Sequence, residues 1–216
     1  MTTTPLPALD ALRQAVEVRY AALSTSCCSL SCGAALDLAN VEEGETLVDL
    51  GCGRGQDVIR AAGRVGETGQ AIGIDQNSAM IAQALKATPA FLENVRFVQS
   101  DLAALDLPDE SAHVLISNCT INHAPDKQAV YREMWRVLKP GGRFVVSDVI
   151  ADAELPEEVR RDPAAWAACY GGAIPEPEYL QAVTAGGFEL VQVLDRSEPY
   201  EKGGVLVRSL TLRGVK

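Results

Sequence analysis

The alternation of hydrophobic and polar positions changes period several times along the chain, and each change marks an element. In residues 8–23 apolar side chains fall at Leu12, Ala15, Val16 and Leu23, the spacing of one helix face. From Glu45 onward, short apolar runs alternate with amphipathic ones. Residues 46–50 (TLVDL), 69–75 (GQAIGID), 94–101 (NVRFVQSD), 111–118 (SAHVLISN) and 143–149 (RFVVSDV) predict five strands. SAMIAQALKA reads as a helix, as do residues 127–138 (KQAVYREMWRVL), which put Val130, Tyr131, Met134, Val137 and Leu138 on one face. Lys139-Pro140-Gly141-Gly142 stops that helix, because proline cannot continue it and glycine turns the chain. Repeated strand–helix alternation predicts an α/β fold, a parallel sheet covered by helices on both faces.

Beyond residue 150 the rhythm changes. LPEEVRRDPAAWAACYGGAI reads as helix and loop, and EPEYLQAVTAGGF as a helix. Two strands follow, 189–195 and 204–212, and the short loop between them (RSEPYEKG) predicts an antiparallel hairpin. No repeat, low-complexity tract or interdomain linker interrupts the chain. It reads as a single domain over 1–216, with an N-terminal helix and Cys-rich segment in 1–44, the regular alternation in 45–150, and further helices and the hairpin in 151–216.

Composition narrows the function. A chain of 216 residues can bury a full core, and its formal net charge of −10 repels phosphate backbones, so nucleic acid is not expected as a partner. No basic leader precedes an apolar stretch, and no run approaches the roughly 18 apolar residues of a membrane span. The expectation is no membrane partner and a cytoplasmic location. In a reducing compartment the six cysteines, Cys27, Cys28, Cys32, Cys52, Cys119 and Cys169, read as free thiols.

The segment VDLGCGRG places Gly51, Gly53 and Gly55 between a strand and a helix, where a backbone without Cβ atoms turns sharply and admits a ligand. Asp75 ends the next strand, in place to accept hydrogen bonds from ribose hydroxyls. Asp101 ends the third, where it can meet a base edge or cap the following helix. A dinucleotide site favours G-x-G-x-x-G; here the spacing is G-x-G-x-G after Asp49, whose carboxylate would repel pyrophosphate and suits a ligand with a cationic centre.

At these residues the chain resembles the class I S-adenosylmethionine-dependent methyltransferases, over about residues 45–212. LVDLGCGRG, Asp75, Asp101, the Lys139–Gly142 turn and the terminal hairpin carry the resemblance. It implies a Rossmann-like, seven-stranded, mostly parallel sheet with an antiparallel last strand. It also implies a cofactor over the strand C-termini, so that 45–150 becomes the cofactor-binding half and 151–216 the acceptor side. Asp49 and Gly51 would lie near the methionine moiety, Asp75 near the ribose, and Asp101 with Leu102 near adenine. Gly53, Gly55, Gln76 and Asn118 are counted with them as cofactor-binding.

The cysteines bear on the acceptor. Cys119 ends the fourth strand, Cys169 lies in WAACYGGAI where an acceptor lid is expected, and Cys32 precedes the core in a segment able to fold over the same mouth. Zinc in a structural site takes four ligands, whereas trivalent arsenic suits three thiolates, its lone pair filling the fourth direction. That lone pair is a nucleophile with no proton to lose, so catalysis would rest on proximity and alignment. VEVRY, CCSLSCG, ISNCTINHAPDK, VYREMWRVLKPGG, SDVIADAELPEEV and WAACYGGAI are similar to the arsenite methyltransferase family over nearly the whole chain. The resemblance implies that Cys119 and Cys169 are the main arsenic ligands and Cys32 the third. It implies that Cys27 or Cys28 enters a redox disulfide, reset by glutathione or thioredoxin.

The chain departs from the family pattern at His123, where an apolar residue is usual, in its short segment before Cys32, and in ending after the hairpin. Cys52, Trp135 and Trp166 read as packing residues, His123 as a hydrogen-bonded loop histidine, and His113 as an exposed strand residue. An S-adenosylmethionine-dependent enzyme acting on oxygen, nitrogen or carbon, with structural cysteines, is the alternative. A metalloid or metal trap without turnover is the other.

Overall fold

A computed structural model describes residues 9–26 and 33–216. Its strands follow the apolar runs. β1 (Thr46–Leu50), β2 (Gln70–Asp75), β3 (Val95–Gln99), β4 (Ala112–Asn118) and β5 (Leu138–Ala151) pair in parallel in the order β3-β2-β1-β4-β5. β8 (Val205–Val215) runs antiparallel to β5 on one side and to β6 (Leu190–Arg196) on the other, which completes the expected hairpin. Among the described residues eight strands are present where seven were expected, because β7 (Tyr200–Lys202) forms inside the segment read as a loop. It pairs with the start of β8 across Gly203-Gly204, whose φ values of 60° and 81° make the tight turn that a two-residue hairpin needs.

The helices are α1 (Leu9–Leu23), α2 (Ala35–Leu38), α3 (Gln56–Val65), α4 (Ser78–Ala87), α5 (Lys127–Val137), α6 (Glu157–Arg160), α7 (Pro163–Ala167) and α8 (Glu176–Ala185). The period of two along the strands sorts side chains onto two cores. Val48, Leu50 and Leu115 join Tyr131, Met134, Tyr179 and Val183 of α5 and α8 on one face. Leu47, Val114 and Ile116 join Leu36 of α2 and Val58 and Val65 of α3 on the other. Helices therefore cover both faces, as the alternation predicts.

Chain order reverses beyond β1, since β2 and β3 lie to one side and β4 and β5 to the other. At such a switch point the loops leaving neighbouring strands diverge and open a crevice at the strand C-termini. α1 lies across it, packed against α4 and α7. Its buried stripe of Leu12 and Val16 continues one turn further to half-buried Tyr20, a polar-tipped ring facing the crevice. No helix among the described residues is long and apolar enough to cross a membrane.

Candidate active site

The crevice encloses a cavity of about 370 Å³. Its floor is the loop after β1. Gly51 and Cys52 donate their N–H groups to the Ile74 carbonyl at 2.8 and 2.9 Å, which folds the loop back over β2. Gly51 has φ 76°, and a Cβ there would collide with Thr120, so glycine is required by both backbone and space. The Gly53 N–H donates to Asp75 Oδ2 at 2.9 Å, and the Asn77 N–H to Asp75 Oδ1 at 2.9 Å. One strand-end carboxylate thus fixes the glycine loop and the start of α4 together.

Asp49 is buried beneath this loop. Burial, with the nearby carboxylates of Asp57 and Asp75, pushes its carboxyl well above the ordinary range, and burial also raises Asp75. Two buried carboxyls suit a ligand that brings positive charge to the first and hydroxyl donors to the second. Asn118 Nδ2 donates to Asp57 Oδ2 at 3.2 Å, while its Oδ1 accepts the Ala35 N–H at 3.3 Å. A Cβ on Gly33 would strike the Asn118 side-chain oxygen Oδ1 and come within 2.6 Å of Ser147 Cβ. The residue that follows Cys32 is therefore pressed against the one that precedes Cys119.

Asp101 follows β3 after a further residue and caps a turn rather than a helix, accepting the Ala103 N–H at 2.9 Å. Its other oxygen pairs with Arg13 of α1 at 3.0 Å, and Asn77 Nδ2 donates to the Glu17 carbonyl at 2.9 Å. Arg54 of the glycine loop donates to the Ser26 carbonyl just past α1. α1 is thus tied to the rim by polar contacts along its length.

At the other end of the cavity, Tyr20, His123 and Cys169 meet. His123 Nδ1 lies 2.9 Å from the Trp166 carbonyl, which can only accept, so Nδ1 carries the hydrogen. Burial pushes His123 down to about 4, so the ring is neutral and Nε2 is an acceptor. Tyr20 Oη lies 3.0 Å from that nitrogen and Cys169 Sγ 3.2 Å from it; Tyr20 Oη and Cys169 Sγ are 3.4 Å apart. Burial and then Cys169 raise the Tyr20 hydroxyl, with a smaller effect from Cys119. Both cysteines also have left-handed backbone, φ 54° at Cys119 and 71° at Cys169.

Asp49, Gly51, Gly53, Asp75, Gln76, Asp101, Leu102, Asn118 and Cys119 all line the cavity. Gly55 stands behind the loop as the N-cap of α3, and Cys169 reaches the mouth through Tyr20 and His123. Cys27, Cys28 and Cys32 lie outside the described residues. Among the described residues no three His, Cys, Asp or Glu side chains group as a metal site. Sequence reasoning missed Arg13, Asp57 and the inward-facing Tyr20; for Tyr20 the signal was present, one turn beyond Val16 on the same stripe. His113 is half-buried rather than exposed. Its Nδ1 accepts the Thr46 N–H at 2.8 Å and its Nε2 lies 3.0 Å from Lys139 Nζ, contacts that hold it against the sheet.

Residues 41–200 match a methyltransferase domain model. The fold aligns with an arsenic(III) S-adenosylmethionine methyltransferase from Chlamydomonas reinhardtii at TM-score 0.75 and 31% identity, covering 99% of this chain and 75% of that one. An arsenite methyltransferase of Halobacterium salinarum is 39% identical over 173 residues, 80% of this chain and 44% of the relative. That of Homo sapiens is 38% identical over 138 residues, 59% of this chain and 37% of the relative. The chain spans about half the length of the curated relatives it matches, or less. Fold and crevice define an S-adenosylmethionine-dependent methyltransferase domain. Within that class, the chain belongs to the arsenite methyltransferase family.

Proposed function

We propose that this chain moves a methyl group from S-adenosylmethionine to trivalent arsenic held by Cys119 and Cys169, with Cys32 as third ligand. The products are methylarsenicals and S-adenosylhomocysteine. The observation that carries the reading is that two thiols from loops far apart in sequence meet one cavity: Cys119 lines it, and Cys169 Sγ lies 3.4 Å from the hydroxyl of Tyr20, which lines it too. Both cysteines bear the cost of left-handed backbone, which a side chain accepts where its surroundings dictate it and which gathers at working sites.

The buried carboxyls fit the cofactor. Asp49 ionises against a positive amino group, Asp75 accepts ribose hydroxyls, and Asp101 with Leu102 faces the base; Gly51, Gly53, Gln76 and Asn118 complete the cradle. When bound, S-adenosylmethionine supplies an electrophilic methyl on a sulfonium centre. Each thiol proton leaves with an arsenic hydroxyl as water, and the thiolates aim the arsenic lone pair across the cavity. The new arsenic–carbon bond uses that pair, so arsenic is formally oxidised by two electrons. Two thiols, one of them Cys27 or Cys28, return those electrons and lose their protons as they join in a disulfide, which glutathione or thioredoxin then reduces, and this fits a reducing cytoplasm. Residues 1–44 act as the lid of this site.

Arsenite incubated with the chain, S-adenosylmethionine and glutathione should yield methylarsenicals on speciation by mass spectrometry. Cys119→Ser and Cys169→Ser should each cut the rate by about a hundredfold or more while cofactor binding persists. The reading fails if no methylated arsenic forms, or if both variants keep the wild-type rate. Activity indifferent to thiol-blocking reagents, on an oxygen, nitrogen or carbon acceptor, would replace it.

A further inference from the structure

Beneath the two cysteine loops lie two buried groups of opposite charge, outside the cavity. Lys127, the first residue of α5, and Asp148, near the end of β5, are 6% and 2% exposed. Desolvating an ammonium and a carboxylate is costly, and apolar side chains of similar volume would stabilise a core at least as well. What the charges hold is therefore informative.

The Lys127 ammonium donates to the Gly172 carbonyl at 2.6 Å and faces the Ala124 carbonyl at 3.5 Å. Gly172 is on the loop that carries Cys169, and Ala124 on the loop that carries Cys119. The same ammonium lies 5.8 Å from the centre of the Trp166 ring, whose residue supplies the carbonyl gripping His123. Asp148 is the acidic group that acts on Lys127. Tyr179 Oη donates to Asp148 Oδ2 at 3.1 Å, and Tyr131 Oη donates to Tyr179 Oη at 3.1 Å. The Asn122 side-chain amide, in the Cys119 loop, donates to the Val149 carbonyl beside Asp148. A Cβ on Gly172 would collide with the Asn122 carbonyl, so the two loops touch here.

We propose that Lys127, with Asp148 as its buried counter-charge, is a positioning residue that sets the separation of the Cys119 and Cys169 thiols by fastening both loops to the end of β5. The inference rests on the reading that these thiols grip one arsenic atom. A three-donor ammonium suits the task, because it can hold two carbonyls at once and feel a third group electrostatically. Neither Lys127 nor Asp148 lines the cavity, so the effect reaches the substrate only through the loops.

Three chains test this: wild type, Lys127→Met, and Lys127→Met with Asp148→Asn, which removes both charges so that none is left buried without its counter-charge. Three quantities are read on each: cofactor binding by calorimetry, arsenite KM and kcat, and the rate at which dibromobimane bridges Cys119 to Cys169, mapped on peptides by mass spectrometry. In the double variant, KM should rise and bridging slow by about tenfold, while cofactor affinity and kcat at saturating arsenite stay within about threefold. A role confined to stability would lower the melting temperature and leave KM and bridging unchanged, and that result overturns the proposal. So does loss of cofactor binding in the double variant, which would make the pair a determinant of the whole fold. A wild type that bridges yet makes no methylarsenical sinks the arsenic reading instead, and the bridging comparison still decides the role of Lys127.

Discussion

Asp49 shows how a single side chain couples proton and ligand. Its folded-state value lies well above the unfolded one because burial, Asp57 and Asp75 all oppose ionisation. A protonated Asp49 therefore favours the folded, ligand-free chain at acid pH, and that contribution drains away as pH rises from about 4 toward the raised value. A cationic ligand reverses the balance by drawing out the proton. Cofactor affinity should accordingly climb with pH across this window and level off above it, with proton release seen by calorimetry in buffers of different ionisation enthalpy. Asp49→Asn should flatten most of the slope and weaken binding by about tenfold or more, the worth of a lost charge-assisted contact. Asp75, raised by burial alone, leaves a residual slope. At this scale the sequence was legible wherever a motif sits at a strand end. It was less so for His113, whose partners Thr46 and Lys139 come from other strands, and for Arg13, whose partner Asp101 is distant in sequence.

Among the elements, α1 carries the clearest consequence. Asn77 caps α4 through the N–H groups of Ala79 and Met80 and, with its amide nitrogen, holds the Glu17 carbonyl of α1. Asn77→Ala should cost about 1 kcal/mol in urea unfolding through the lost cap. It should also raise amide exchange in residues 9–23 out of proportion to that loss; exchange that rises uniformly would place Asn77 in the cap alone. Period alone was enough for most elements: β1, α4 and α5 fall within a residue of their expected bounds because their apolar spacing is unbroken. β7 was not legible, since three residues give too short a pattern and its pairing depends on the turn after it. β5 begins earlier than its apolar run, because Leu138 already pairs with Ala112 and the Lys139–Gly142 segment is enclosed by the C-terminal residue Lys216.

For the whole molecule, an ion pair at the end of the N-terminal segment fastens it to the sheet. Arg143 of β5 meets Glu45 at 2.7 Å, both side chains being largely buried, and donates to the Ala39 carbonyl at 2.7 Å. Burial alone would push Glu45 up, but the Arg143 guanidinium and the Glu42 N–H hold it below the usual range. That stability is present above about pH 4.3 and is lost as pH falls toward the lowered value. Arg143→Met should destabilise the fold by about 3 kcal/mol in denaturant unfolding, because it strands a carboxylate among the segment's carbonyls. A loss below about 0.5 kcal/mol would show the pair to be solvated like a surface bridge. The α/β architecture and the terminal hairpin were readable because alternation and loop length constrain topology strongly. The reach of α1 across the crevice was not, because it depends on pairings between residues far apart in the chain.

The left-handed backbone at Cys119 and Cys169 sets heat resistance against chemistry. Glycine is the residue that rests there with least strain, and it has no sulfur to offer. A lineage selected only for a tougher fold would drift toward glycine at both places, gaining durability while giving up, on the function proposed above, its grip on a soft, thiol-seeking poison. Continued exposure to that poison is what would keep the less comfortable residue in place.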